Sequence, residues 1–303
     1  MLERLFIAAL MLVAAVTTAL AQDSRPARLG LVDLSVAGLD FSDLDNVAVR
    51  TMPDAHATTH PGTRSAVRQD RDHARAHGAE MVRAAVAAFR AVDAATPIEI
   101  YVASPFRADA RGARLGLSMN ELERAYVWFA DNNVTLVAQT FVAPDSPAQR
   151  EAVALAHRLG LVLLASAGNG PDHNAVPPYP AAYDGVISIS TTALETELSR
   201  EADRDAYVDF SVAPKRFTAI VYRRDPELAS RQGSSAATAS ALGILGAAAR
   251  RWPVADRAEA INLLGCIARP NETFAGRAWG RGVLIASDIG NRLRGLGGAG
   301  SPC

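Results

Sequence analysis

The stretch with the clearest chemistry is Arg231 to Arg250, RQGSSAATASALGILGAAAR. Gly233 precedes Ser234 and Ser235, and a run of small residues then turns apolar and helical. A Gly ahead of a Ser at a helix start allows a tight turn, because Gly tolerates unusual backbone angles. The hydroxyl and amide then sit at the positive end of a helix, where negative charge is favoured. That suits a nucleophile whose attack creates an oxyanion. The same residues also read as an ordinary Ser N-cap on a buried Ala/Gly-rich helix. A serine nucleophile needs a base, an acid and an oxyanion donor from elsewhere in the chain. Asp33 closes the apolar run Ala27 to Val32, which suits a buried parallel strand delivering a carboxylate at its carboxyl end. His77 and Gly78 open a run in which Val82, Val86, Ala87 and Phe89 fall at helical spacing. His56 and His60 have the spacing of two metal ligands on a helix. Pro53 and Pro61 bracket them, and no third ligand is evident, so this segment reads as a solvated loop.

GSSAATA resembles the GTSMATP signature of subtilisin-like serine proteases, and the match implies that Ser235 is the nucleophile. That family orders its catalytic residues Asp, His, Ser. The strand ending at Asp33 resembles the family's strand ending in Asp-Ser/Thr-Gly, with Leu34-Ser35 in place of the usual pair. It implies that Asp33 is the triad acid. His77-Gly-Ala-Glu80 resembles HGTHVAG, with Glu80 where the second His stands. It implies that His77 is the base and starts a buried helix. AVALAHRLGLVLLASAGNG is similar to the family's helix, strand and AAAGN loop, which implies that Asn169 is the side-chain oxyanion donor. AYVWFADNNVTLVAQT follows the pattern WAIDNGVDVINMSLG, and Ala138-Gln139-Thr140 stands where Ser-Leu-Gly is usual. The resemblance makes that strand a substrate-pairing edge and one wall of the specificity pocket. Ala167 and Gly168, just before Asn169, complete the implied substrate-binding set. Tyr179-Pro-Ala-Ala-Tyr183 resembles the family's YPAxY. Asp209 to Pro214 resembles DVMAPG, with Lys215 where Gly is usual, and Trp279 to Leu284 resembles the closing YGxG strand. The resemblance runs from about Ala27 to about Arg292.

The implied fold class is α/β and subtilisin-like, a mostly parallel central sheet with helices on both faces. The elements read from the sequence fit it. Strands are expected at Ala27 to Val32, Pro97 to Ser104, Val134 to Phe141, Leu161 to Ala165 and Val186 to Ser190. Helices are expected at Met119 to Asn132 behind a Ser118 cap, at Ser146 to Leu159 with Pro147 in its first turn, and at Ala258 to Ala268. Phe41 to Gln69 reads as polar and turn-rich. Met1 to Ala21 has the features of a secretory signal peptide: Arg4, an apolar run, and the small-x-small site Ala19-Leu20-Ala21. Residues 22–294 then form a subtilase-like catalytic domain, and 295–303 a disordered Gly-rich tail.

With 31 basic and 32 acidic residues in 303, the chain has no charge excess to draw it to nucleic acid or an acidic membrane. No membrane association is expected once the leader is removed, and the destination is the periplasm or the exterior. The two cysteines, Cys266 and Cys303, either pair or stand as separate thiols. The resemblance implies a serine endopeptidase acting on peptide or protein through an acyl-enzyme, with no cofactor required for the chemistry. Calcium is a frequent structural ligand in that family, but no acidic cluster here matches a family site. The rival reading is a catalytically idle subtilase fold that binds peptides. It draws on the drifted positions Glu80, Ala138 to Thr140, Lys215 and Ala239.

Overall fold

Runs of apolar residues without alternation make strands buried on both faces. Ala27–Val32 is such a run, and it takes the middle of a sheet. The computed structural model describes residues 25–53, 65–108, 115–169, 178–194, 197–198, 207–213, 233–270 and 280–296. In chain order its elements are β1 (Ala27–Val32), β2 (Val47–Thr51), α1 (Ser65–Val92), β3 (Ile98–Ala103), β4 (Phe106–Ala108), β5 (Leu115–Leu117), α2 (Met119–Asp131), β6 (Leu136–Gln139), α3 (Pro147–Arg158), β7 (Val162–Ser166), β8 (Val186–Leu194), β9 (Glu197–Leu198), β10 (Phe210–Val212), α4 (Ser234–Ala249), α5 (Arg257–Ile267), β11 (Arg269–Pro270), β12 (Gly282–Leu284) and α6 (Ala286–Gly295).

The main sheet runs β11-β12-β10-β8-β7-β6-β1-β3-β2. Along it every pairing is parallel except β11 with β12. β9 pairs antiparallel with β8, and β4 and β5 form a separate hairpin. The expected α/β class, a mostly parallel sheet with helices on both faces, is what the structure has. Residues of α1, α4, α5 and α6 pack with Leu29, Leu31 and Ile100 in one core. Residues of α2 and α3 pack with Val32, Tyr101 and Val137 in the other. The sheet order places a topological switch between β1 and β6. From β1 the chain goes on to β2 and β3 on one side, and from β6 it goes on to β7 and β8 on the other. The crevice outside such carboxyl ends is where open α/β sheets carry their sites.

The helix caps follow the sequence. Ser118 accepts a hydrogen bond from Glu121 N, and Ser146 from Gln149 N, with Pro147 beginning α3. Helix α4 is buried on all sides, as its lack of a polar face requires. Its small residues let it lie close to its neighbours. A Cβ on Gly243 would stand 2.1 Å from Ala85 O of α1, and one on Gly246 would meet Leu29 of β1 at 2.4 Å.

Three expectations need correcting. The polar stretch 41–69 contains β2 and the start of α1. His77 does not begin a helix, since α1 starts at Ser65. Strand β6 is Leu136–Gln139, shorter than 134–141, and lies inside the sheet between β1 and β7. Its backbone is therefore already paired on both sides and offers no edge over that span. Residues 1–21, His56, His60, Lys215, Cys303 and the tail beyond 296 lie outside the described residues. Cys266 is disulfide-bonded.

Candidate active site

Asp33 is the first residue past β1, and its side chain is 1% exposed. A carboxylate this deep needs hydrogen bonds to offset lost hydration. It has three partners. Leu34 N donates to Oδ1 at 2.5 Å, His77 Nδ1 lies 2.8 Å from Oδ1, and the Thr140 hydroxyl donates to Oδ2. Hydrogen bonds to a charged group contribute about 1.5–3 kcal/mol each.

His77 comes from α1 and is 35% exposed, so one side of the ring faces outward. Gly78 explains how α1 reaches Asp33. A Cβ there would stand 2.4 Å from Leu34 O and 2.8 Å from Val36, so only Gly lets the helix seat against the chain leaving β1. With Nδ1 donating to the carboxylate, Nε2 carries the free lone pair in the neutral ring. Burial pushes the His77 pKa down, but the Asp33 hydrogen bond and charge, with the charge of Glu80, outweigh it, and the net shift is upward.

Ser235 is the second residue of α4. Its hydroxyl donates to Thr140 O at 3.1 Å, and no hydrogen bond joins it to His77 in the structure. Thr140 thus holds Asp33 with its hydroxyl and Ser235 with its carbonyl. Its own N–H reaches Val32 O at 3.2 Å, which ties the ends of β1 and β6 together.

Asn169 follows β7 through Ala167 and Gly168, and Gly168 has φ +99°. Such a backbone favours Gly, and it turns the chain so that Asn169 is exposed beside α4. Asn169 Oδ1 accepts from Ser234 N at 2.7 Å and from Ser234 Oγ at 3.0 Å. The need for Gly233 differs from the expected one. Its φ of −86° is ordinary extended backbone. What demands Gly is the Asn169 amide, which a Cβ would meet at 2.5 Å.

The residues expected to line the substrate are mostly sealed. Ala138, Gln139 and Ala167 are 0% exposed and Thr140 is 5%. Gln139 accepts from the buried Tyr126 hydroxyl at 2.8 Å. The apolar surface past β6 begins later, at Val142, which is 46% exposed. Sequence reasoning missed two residues, Thr140 as the support of Asp33 and Ser234 as the partner of Asn169. A hydroxyl residue at the carboxyl end of the strand beside β1 was the available signal for the first. Asp209 is structural, accepting from Ser188 N at 3.1 Å and Arg257 Nη2 at 2.8 Å. No group of three or more His, Cys, Asp or Glu that could hold a metal occurs among the described residues.

An Asp–His pair at a switch point, facing a helix that begins with Ser and is held by an Asn, is an arrangement found in hydrolases. The sequence model of the subtilase family matches residues 32–261. The chain belongs to the subtilase family. It is accordingly a serine-type peptidase. No curated protein matches this subtilase. Its fold is similar to the prenylagaramide maturation protease PagA at 14% identity, covering 92% of this chain and 98% of that one, with a TM-score of 0.57. It is also similar to the epidermin leader peptide processing serine protease EpiP from Staphylococcus aureus, at 14% identity, 90% and 78% coverage and a TM-score of 0.59. A cold adapted subtilisin-like serine proteinase matches at 14% identity, 87% and 91% coverage and a TM-score of 0.58.

Proposed function

We propose that this subtilase is an exported endopeptidase in which Asp33, His77 and Ser235 form the catalytic triad and Asn169 supplies an oxyanion donor. The observation that carries the reading is the Asp33–His77 hydrogen bond of 2.8 Å, set at the switch point beside the α4 terminus that bears Ser235. Ser235 Oγ turns from the Thr140 carbonyl to His77 Nε2 and attacks the carbonyl carbon of the scissile peptide. As the C–O bond forms, the hydroxyl proton passes to Nε2. Asp33 keeps the ring in the tautomer that can accept it and stabilises the imidazolium. The oxyanion meets the Asn169 Nδ2 group and the Ser235 N–H, one of the first-turn donors without an intrahelical acceptor. Collapse breaks the C–N bond, and the imidazolium returns the proton to the leaving amine. Water repeats the sequence to release the acid.

The substrate is an extended, accessible peptide, bound along the chain past the end of β6. Support for this placement is negative for Leu136–Gln139, whose backbone is already paired, and positive for the exposed apolar Val142. Export follows the reading of Met1 to Ala21 as a cleaved leader. Steady-state hydrolysis of denatured and native protein substrates tests the proposal. Cleavage of denatured chains, lost in Ser235→Ala, is expected. Equal cutting of native substrates would contradict the extended-peptide part, and hydrolysis unaffected by Ser235→Ala would contradict the nucleophile.

A further inference from the structure

A groove runs along the outer face of α3, apart from the Asp33–His77 pair. One wall is a single helical face, since Arg150, Val153, Ala154 and His157 fall at i, i+3, i+4 and i+7. The facing wall is the turn that carries Tyr179, Tyr183 and Asp184. The space between them is about 410 Å³. Seven residues of helix rise about 10 Å, so the groove is as long as about three residues of extended chain. It adjoins the stretch past β6. Tyr179 and Ala143 form an antiparallel bridge, with Ala143 N donating to Tyr179 O at 2.7 Å and Tyr179 N to Ala143 O at 3.3 Å. Ala143 follows Val142, the exposed apolar residue beside which the substrate is placed.

The two ends of the groove differ. At the start of α3 the half-buried Tyr179 and Tyr183 rings lie 4.3 Å apart. Arg150 Nε donates to Asp145 Oδ1 at 2.9 Å, and the Tyr183 hydroxyl donates to the same oxygen at 2.7 Å. The Arg150 charge is thereby paired. At the far end His157 packs on Gly185, where a Cβ would stand 2.3 Å from the ring. Burial pushes the His157 pKa down, and the Arg257 charge adds to this against a hydrogen bond to the Gly185 backbone, so the ring is neutral at pH 7. Asp184, next to Gly185, is exposed, and its side chain makes no hydrogen bond or ion pair among the described residues. The groove therefore carries one unpaired charge, and it is negative. Aromatic faces also attract cations, through the ring quadrupole.

We propose that this groove is an exosite that takes a lysine or arginine side chain of the bound peptide, at a position away from the scissile bond. The aliphatic stem lies over the tyrosine rings and Val153, and the cationic head sits at Asp184. That the occupant is a substrate rests on the endopeptidase reading, whereas the groove and its charge stand independently of any activity.

Binding is measured first, on the full chain as Ser235→Ala, by fluorescence anisotropy. The probes are short, labelled, otherwise uncharged peptides with lysine at one position in turn, each beside its norleucine counterpart. At one position lysine should bind about three- to tenfold more tightly than norleucine. Asp184→Asn should remove that advantage, and Asp184→Lys should transfer it to glutamate at the same position. Asp184 is exposed, so both variants should fold, which circular dichroism checks. A lysine advantage at no position, or one that survives Asp184→Asn, would overturn the exosite. Hydrolysis of the same peptides by the chain with Ser235 intact is read separately. There the advantage should appear in KM with kcat unchanged, the mark of binding uniform between ground and transition states. An advantage in kcat would put the lysine at the scissile bond and overturn the distal placement. If no peptide is cut while an Asp184-dependent advantage persists in binding, the endopeptidase reading falls and the groove stands as a peptide-binding site.

Discussion

At the residue scale the site is a chain of commitments that begins at Asp33. Its carboxylate is held by a backbone N–H, a threonine hydroxyl and an imidazole. Together they fix the tautomer that gives His77 a free Nε2. In the proposed triad nucleophile and base serve one step, so Ser235→Ala and His77→Ala should each abolish most turnover, by roughly 10⁶, with the double variant little worse. Kinetics on the three variants, with circular dichroism to confirm folding, checks this. The raised His77 pKa has a sign. A base protonated at higher pH loses function earlier on acidification, so the acid limb of kcat/KM should lie above the ordinary imidazole value of 6.5. Removing the Glu80 charge by Glu80→Gln should move that limb down. A pH profile of both proteins is the measurement, and a limb that stays in place would show that Glu80 does not act on the base.

At the element scale the decisive contacts are between backbones. Gly78 lets α1 seat on Leu34, and Gly243 lets α4 lie on α1. In Gly78→Ala the added methyl meets a carbonyl oxygen, not the end of a flexible side chain. The variant should lose about 1–3 kcal/mol of stability and weaken the Asp33–His77 bond with it. Denaturant unfolding checks the first part and turnover the second. The strand β1 was legible to its ends because every position but the exposed Arg28 is buried and apolar. The edge strand β2 was not, because its pattern mixes half-buried and exposed positions, with Arg50 reaching diagonally to an ion pair with Glu99. The first turns of α1, SAVRQDRDHARA, carry too few apolar residues to mark a helix before His77. The end of β6 misled for a different reason. Thr140 looks like substrate surface in a linear alignment, and only the parallel pairing to β1 turns its hydroxyl onto Asp33.

At the scale of the whole molecule, the resemblance read from short motifs along the chain corresponds to a family match over residues 32–261 and to folds shared at 14% identity. So low an identity with so much fold in common means that packing geometry outlasted most side chains. What sequence conveyed was the order of the candidate residues Asp33, His77, Asn169 and Ser235 along the chain. It could not convey which neighbour each group would touch, since Thr140 and Ser234 act through contacts spanning 107 and 65 residues. Two expectations concern the chain as a unit. N-terminal sequencing of exported protein should begin near Gln22, and a retained Met1 would rule out leader cleavage. Thiol titration of the unreduced, denatured protein should find no free thiol, as the disulfide at Cys266 requires.

The central claim is that Ser235 is a nucleophile activated by His77. Labelling the folded protein with an organophosphonate that traps activated serines, followed by peptide mapping by mass spectrometry, tests it most directly. The predicted result is a single adduct on Ser235, absent from Ser235→Ala, strongly slowed in His77→Ala and lost on denaturation before labelling. An unlabelled wild-type protein, or an adduct on another residue, would contradict the account.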